Sequence, residues 1–231
     1  MLNVRILTLF PDMFPGILGA SIPANAIKKG LWNMECVNIR DFAMDKHSTV
    51  DDTPFGGGPG MVMKPDVIDR AIEQGTVKNG KIIYLSPRGK TFNQEMAKEL
   101  AQEDNITLLC GRYEGIDQRV IDKWDMMEVS VGDFVLSGGE PAVQVMLDAI
   151  VRLLPGALGA KASLDDESFE DGLLEYSHYT RPAEWLGRKV PEVLLSGHHE
   201  NIESWRSEER LRLTKERRPD LWDEYVLCQE N

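Results

Sequence analysis

The chain has 231 residues, 42% of them apolar and 28% charged, with 26 Lys and Arg against 38 Asp and Glu for a formal charge of −12. That composition excludes a disordered chain, a collagen and a coiled coil, and the length fits one main domain with a smaller appendage. The acidic balance excludes a protein that coats nucleic acid through bulk basicity, but it leaves room for a local basic patch.

The opening residues Met-Leu-Asn-Val-Arg-Ile-Leu-Thr-Leu-Phe lack the basic, apolar and small-residue regions of a secretory leader. They read instead as a first strand over residues 4–10, and a cytoplasmic location is expected. A helix over 24–29 and a strand over 36–39 follow. Residues 41–64 then form a long loop holding His47, Asp51, Asp52 and the cluster Phe55-Gly56-Gly57-Gly58-Pro59-Gly60. Loops of that length are functional or disordered, and both a substrate-gripping lid and a mobile linker fit this one. Helix 65–74 opens on Pro65 and stops at Gly75, the usual asymmetry of helix ends. Strand 81–86, helix 93–102, strand 106–110, helix 117–123, strand 127–131 and helix 141–154 complete the series. Such alternation predicts an α/β fold, a mainly parallel sheet covered by helices. The most apolar stretch, 141–158, is interrupted by Asp148 and Arg152, so no membrane span is expected.

Beyond Pro155-Gly156 the pattern breaks. The expected organisation is an α/β domain over 1–159, an acidic linker over 160–172 and a small helical domain over 173–231, with Trp185, Trp205 and Trp222 as its core anchors. Asp165, Asp166, Glu167, Glu170, Asp171 and Glu175 form an acidic run, whereas Arg206, Arg210, Arg212, Lys215, Arg217 and Arg218 form a basic one. Each run also fits an ordinary solvated face.

Three predicted strands end in small-residue loops: Ser86-Pro87-Arg88-Gly89, Gly111-Arg112-Tyr113-Glu114-Gly115 and Leu136-Ser137-Gly138-Gly139-Glu140. Ligands of open α/β sheets bind outside the carboxyl ends of strands, so three such loops either form one pocket or are merely tight turns. No dinucleotide or nucleoside-triphosphate fingerprint is present. Ser86, Ser137 and Ser196 lack a nucleophile elbow, and His47, His178, His198 and His199 lack zinc-ligand spacing. Cys36, Cys110 and Cys228 are odd in number and far apart, which indicates neither a disulfide framework nor a structural zinc site.

Taken together, Tyr84-Leu-Ser-Pro-Arg-Gly89, Leu109-Cys-Gly-Arg-Tyr-Glu-Gly-Ile-Asp117, Val131-Gly-Asp-Phe-Val-Leu-Ser-Gly-Gly-Glu140, Leu174-Glu-Tyr-Ser-His-Tyr-Thr-Arg-Pro182 and Pro191-Glu-Val-Leu-Leu-Ser-Gly197 closely resemble the bacterial tRNA (guanine-N1)-methyltransferases. The run from Thr49 to Gly60 resembles theirs as well. The resemblance implies a SPOUT-class fold with a deep trefoil knot, an obligate homodimer with its active site at the subunit interface, and methyl transfer from S-adenosylmethionine to N1 of guanine 37 in tRNA. It implies a cofactor pocket built by Leu85, Ser86, Pro87, Gly111, Tyr113, Glu114, Val131, Gly132, Phe134, Leu136, Gly138, Gly139 and Pro141. Substrate contacts are implied for Gly57, Gly58, Arg112, Glu114, His178, Tyr179, Arg181, Ser196, Gly197 and His198, with the basic run from Arg206 gripping the anticodon stem. Magnesium dependence is implied too, but no carboxylate constellation in the sequence identifies a metal site.

Guanine N1 carries a proton at neutral pH, so a general base must take it as the methyl group arrives, while charge builds toward O6. The family's base is an aspartate in an Asp-Ser-Phe context; here Asp165-Asp166-Glu167-Ser168-Phe169 puts Glu167 at that position, with Asp165 and Asp166 beside it as alternatives. Arg152 matches the family's arginine proposed to meet the developing negative charge, and a helix C-terminus is equally an ordinary place for an arginine. Phe134 stands where tyrosine is frequent, Ser177 where proline is common, and Pro141 directly follows Glu140. Two other functions remain open at this point: another SPOUT RNA methyltransferase, and a non-catalytic RNA-binding relative that lost its base.

Overall fold

Apolar residues recur on both faces of each central strand, which only a sheet covered on both sides can bury. In a computed structural model of the protein, which describes residues 1–76, 80–158 and 167–229, strand β1 (Leu2–Thr8) turns Leu2, Val4 and Ile6 into one core and Leu7 into another. Strand β6 (Asn105–Cys110) divides the same way, with Ile106, Leu108 and Cys110 on one face and Leu109 on the other. With β2 (Trp32–Asn38), β5 (Lys81–Thr91) and β7 (Met127–Ser130) they form a five-stranded sheet of order β2-β1-β6-β5-β7, and every pairing is parallel.

Helices α1 (Ser21–Lys28), α3 (Gln94–Leu100) and α5 (Glu140–Val151) contribute to the first core, α2 (Pro65–Gly75) and α4 (Gln118–Lys123) to the second. Their sequences say where they begin. Pro65 occupies the first turn of α2, where its missing N–H is no loss. Asn93 and Asp117 cap α3 and α4 by accepting from the backbone N–H of Met96 and Arg119 at 2.9 and 3.0 Å. In α5 the buried residues Glu140, Ala142, Val143, Met146, Leu147, Ile150 and Val151 follow a helical stripe, and Glu140 alone among them is ionisable.

The chain divides into two compact units, Met1–Gly159 and Ala160–Asn231. The second holds α6 (Glu192–Leu195), α7 (His199–Arg217) and α8 (Pro219–Gln229), and also a hairpin of β8 (Glu184–Trp185) and β9 (Arg188–Lys189). Leu186 and Gly187 both take positive φ, 52° and 75°, as a two-residue hairpin turn requires. The expected all-helical appendage therefore needs correcting by one hairpin. The expectation for its tryptophans needs correcting too: Trp185 is 62% exposed, and Trp205 and Trp222 are only half-buried. Among the described residues, no helix is long and apolar enough to cross a membrane.

Candidate active site

Strands β6, β5 and β7 are neighbours running the same way; the loops after β6 and β7 leave at one edge of the sheet, whereas residues 86–89, expected to follow a strand ending at 86, instead bulge out within β5, since Leu85 and Lys90 both register with Val129. These segments enclose a cleft of ≈ 360 Å³, within the usual range for small-molecule sites. Leu85, Ser86, Pro87, Gly111, Tyr113, Glu114, Val131, Gly132, Phe134, Leu136, Gly138 and Gly139 all line it, as does Arg112; Pro141 does not. Pro141 instead follows Glu140 in the first turn of α5, where its ring closes the helix start.

The loops are built for close packing of backbone on backbone, and Gly111 and Gly139 are both buried. Gly139 N–H donates to the Gly111 carbonyl at 3.0 Å, and a Cβ on Gly139 would stand 2.8 Å from Cys110 Cα. Only glycine allows that approach. Tyr84, 4% exposed, stands beneath the second loop, so close that a Cβ on Gly111 would meet its ring at 2.7 Å. Burial pushes the Tyr84 phenol above its ordinary pKa, and a backbone hydrogen bond with Ile116 offsets part of that rise. Phe134, Val135 and Leu136 form an apolar lip, 56%, 85% and 39% exposed. A narrow slot between small-residue loops with an apolar lip outside suits a flat heteroaromatic ring.

One ionic group behind the cleft carries no signal in the spacing of the sequence. Glu140 is 0% exposed; its Oε1 accepts from the Thr8 hydroxyl at 2.7 Å and its Oε2 lies 2.8 Å from Arg112 Nη2. Arg112 Nη1 donates to the Ser137 carbonyl at 3.0 Å, and the guanidinium lies over the Phe10 ring at 4.3 Å. Burial, and Glu140 nearby, push the Cys110 thiol well above its ordinary pKa, so it stays a protonated, packed group.

The loop carrying Gly57 and Gly58 is tied to the second cleft loop at its base. Short strands β3 (Asp51–Asp52) and β4 (Val62–Met63) pair antiparallel, and Met61 and Met63 bond to the backbone of Glu114 and Gly115 at 2.9 Å each. Its tip projects: Phe55 is fully exposed. Neither Gly57 nor Gly58 lines the cleft.

In the second unit, the segment with His178 and Tyr179 is fastened to α7. Ser177 Oγ donates to Glu209 Oε1 at 2.8 Å, Leu174 N–H donates to Thr214 Oγ1 at 2.9 Å, and Tyr179 meets Trp205 at 6.2 Å between ring centroids. Ser196, Gly197 and His198 form the exposed turn before α7. The basic run is largely spent on its own acids: Arg206 pairs with Glu203 at 2.6 Å, Arg210 with Asp171, Arg212 with Glu209 and Glu216 at 2.8 and 2.7 Å, and Arg218 with Asp220 at 2.5 Å. Lys215 sits over Trp222. By contrast Arg181, Arg188 and Lys189 make no ion pair with another described residue. Arg152 caps the C-terminus of α5, and Glu167 is half-buried where description of the second unit resumes; Asp165 and Asp166 lie outside the described residues. Among the described residues no three His, Cys, Asp or Glu side chains cluster as a metal site.

A family model described as "tRNA (Guanine-1)-methyltransferase TrmD" matches residues 2–224. A tRNA (guanine-N(1)-)-methyltransferase of Rhodospirillum rubrum is 60% identical over 225 residues, covering 97% of this chain and 94% of that one. One from Rhizobium etli is 55% identical over 222 residues, covering 96% and 95%, and one from a Wolbachia of Culex pipiens is 56% identical over 223 residues, covering 95% and 96%. With the match running nearly end to end in both directions, this chain belongs to the tRNA (guanine-N1)-methyltransferase family.

Proposed function

We propose that the chain, as a cytoplasmic homodimer with a knotted α/β domain of the SPOUT class, transfers the methyl group of S-adenosylmethionine to N1 of guanine 37 in tRNA, with the cofactor held in the cleft between residues 86–89 of β5 and the loops after β6 and β7. The observation that carries this is the convergence of three small-residue loops on one cleft. The residues fit the cofactor: Phe134, Val135 and Leu136 offer a face for its adenine, the side-chain-free positions Gly111, Gly132 and Gly139 let it approach the loops closely, and Glu114 is the one carboxylate of the described lining, suited to a cationic ligand. When bound, S-adenosylmethionine supplies an electrophilic methyl group on a sulfonium that departs as a neutral thioether. Glu167 accepts the N1 proton of guanine as the N1–C bond forms and the C–S bond breaks. Arg152 meets the negative charge that builds toward O6. The described residues do not gather a magnesium site, and no step is routed through that ion.

For RNA contact the β8–β9 hairpin is better placed electrostatically than the run from Arg206. Arg188 and Lys189, with Arg181 just before, lack carboxylate partners among the described residues, and Trp185 stands exposed beside them. Alanine at Arg188 or Lys189 is expected to reduce the slope of log Kd for tRNA against log salt by about 1. Alanine at Arg212, already shared between two glutamates, is expected to leave that slope unchanged.

The activity is tested with labelled S-adenosylmethionine on a tRNA transcript carrying guanine at position 37, beside the same transcript with adenine there. Label on the guanine transcript alone, recovered as 1-methylguanosine, is the expected result. Label in ribose, or on neither transcript while the cofactor still binds, would favour the other SPOUT activity or the non-catalytic relative.

A further inference from the structure

We infer that Arg112, with Glu140 as its buried counter-charge, is a positioning residue that sets the third cleft loop against the second, and is not a contact to RNA. The inference rests on the reading that the cleft holds S-adenosylmethionine. Its ground is where the donors of Arg112 go. Nη2 lies 2.8 Å from Glu140 Oε2 as an ion pair and donates to Met13 Sδ at 3.4 Å, Nη1 bonds Ser137, the flat face covers Phe10, and Nε is buried with no acceptor. The side chain is 15% exposed, which leaves little of it to meet a phosphate or a base.

Glu140 is the more telling partner because it does not line the cleft. It is fully buried at the first turn of α5: Oε1 accepts from Thr8, whose hydroxyl oxygen also accepts the Phe10 N–H at 2.9 Å, while Oε2 makes no hydrogen bond and is answered by the Arg112 charge 2.8 Å away. A buried carboxylate with one partner removed is an uncompensated charge, so the arrangement is held on both sides. The pair thereby joins the end of β1, the second loop, the third loop and the start of α5. The bond from Arg112 to the Ser137 carbonyl reaches the middle of the third loop, between Leu136 and Gly138 of the cleft lining. Gly138 explains how the arginine passes: a Cβ there would lie 2.3 Å from Arg112 Nε. That glycine has a packing reason independent of any ligand.

The test uses the full chain without RNA, titrated with S-adenosylmethionine by calorimetry, and with tRNA in a separate titration. Glu140→Gln and Arg112→Lys are each expected to weaken cofactor binding on the order of tenfold, because neither restores both the charge pair and the fork that holds Ser137. tRNA affinity measured without cofactor is expected to stay within about twofold. The double variant Arg112→Met/Glu140→Leu, which fills the space with apolar groups, is expected to recover thermal stability but not cofactor affinity, since no donor reaches Ser137. Amide exchange at residues 135–139, read without any ligand, is expected to quicken in Glu140→Gln. Unchanged cofactor affinity and exchange with weakened tRNA binding would make Arg112 an RNA contact and overturn the inference. So would a double variant that regains both stability and cofactor affinity, because the pair would then only pack. A wild-type chain that fails to bind S-adenosylmethionine would defeat the reading of the cleft, while the exchange measurement would still decide the role of the pair.

Discussion

Glu167→Ala is expected to lower the single-turnover rate of methyl transfer by about 10²- to 10⁴-fold, the usual contribution of a positioned general base, with cofactor affinity unchanged. The reason lies in the substrate. Guanine N1 holds its proton at neutral pH, so its lone pair is not available until a base takes that proton, and no later step can compensate for the loss. Glu167→Asp, which keeps a carboxylate one methylene nearer the backbone, is expected to keep the rate within about tenfold. A fully active Glu167→Ala beside a dead Asp166→Ala would move the base to Asp166. Rapid-quench measurements with saturating cofactor separate these outcomes, because they read the chemical step and not product release.

Gly89→Ala is expected to damage the fold and the cleft together. Leu85 and Lys90 both register with Val129 of β7, so residues 86–89 loop out between them. A Cβ on Gly89 would stand 2.3 Å from both the Glu128 carbonyl carbon and the Val129 nitrogen, which are backbone atoms and cannot swing aside. Either β5 lifts from β7 or the first cleft loop shifts. Overpacking of this kind costs about 1–3 kcal/mol or more, and the loop that moves carries Ser86 and Pro87 of the cleft lining. Denaturant unfolding should show the loss of stability, and calorimetry should show cofactor affinity falling at least tenfold. Wild-type stability with wild-type affinity would mean that the strands part here at no cost.

The strands and helices of the first unit could be read from periodicity because each buries a continuous apolar face. Residues 127–131 against β7 and 117–123 against α4 differ from the structure by a residue at an end, but strand 36–39 begins four residues late against β2 (Trp32–Asn38), and strand 81–86 stops five residues short of β5 (Lys81–Thr91), because Pro87 and Gly89 read as a strand end where the chain only bulges. Sheet order could not be read in this way, since which strands pair is a matter of contacts far apart in the chain. The order places β5 between β6 and β7, and that brings residues 86–89 beside the loops after β6 and β7. The hairpin at Glu184–Lys189 leaves no periodic signal, because two-residue strands have no period, and its turn carries Leu186 where Asn or Asp would mark such a turn. The role of Glu140 was invisible for a similar reason. A glutamate beside a helix start reads as an exposed first-turn acid, and only the fold brings Thr8, 132 residues away in the chain, to its side. The basic run from Arg206 shows the converse: its charges are plain in the sequence, but helical spacing and the acidic run set carboxylates against them.

The reading of this chain as a methyltransferase stands on the methyl donor binding in the cleft between residues 86–89 of β5 and the loops after β6 and β7. A crystal structure of the chain with S-adenosylhomocysteine, the product left after transfer, tests it most directly. The predicted result is the adenine against Phe134, Val135 and Leu136 and the ligand in contact with the backbone at Gly111 and Gly139. Ligand bound elsewhere on the chain, with the three loops bare, would contradict it.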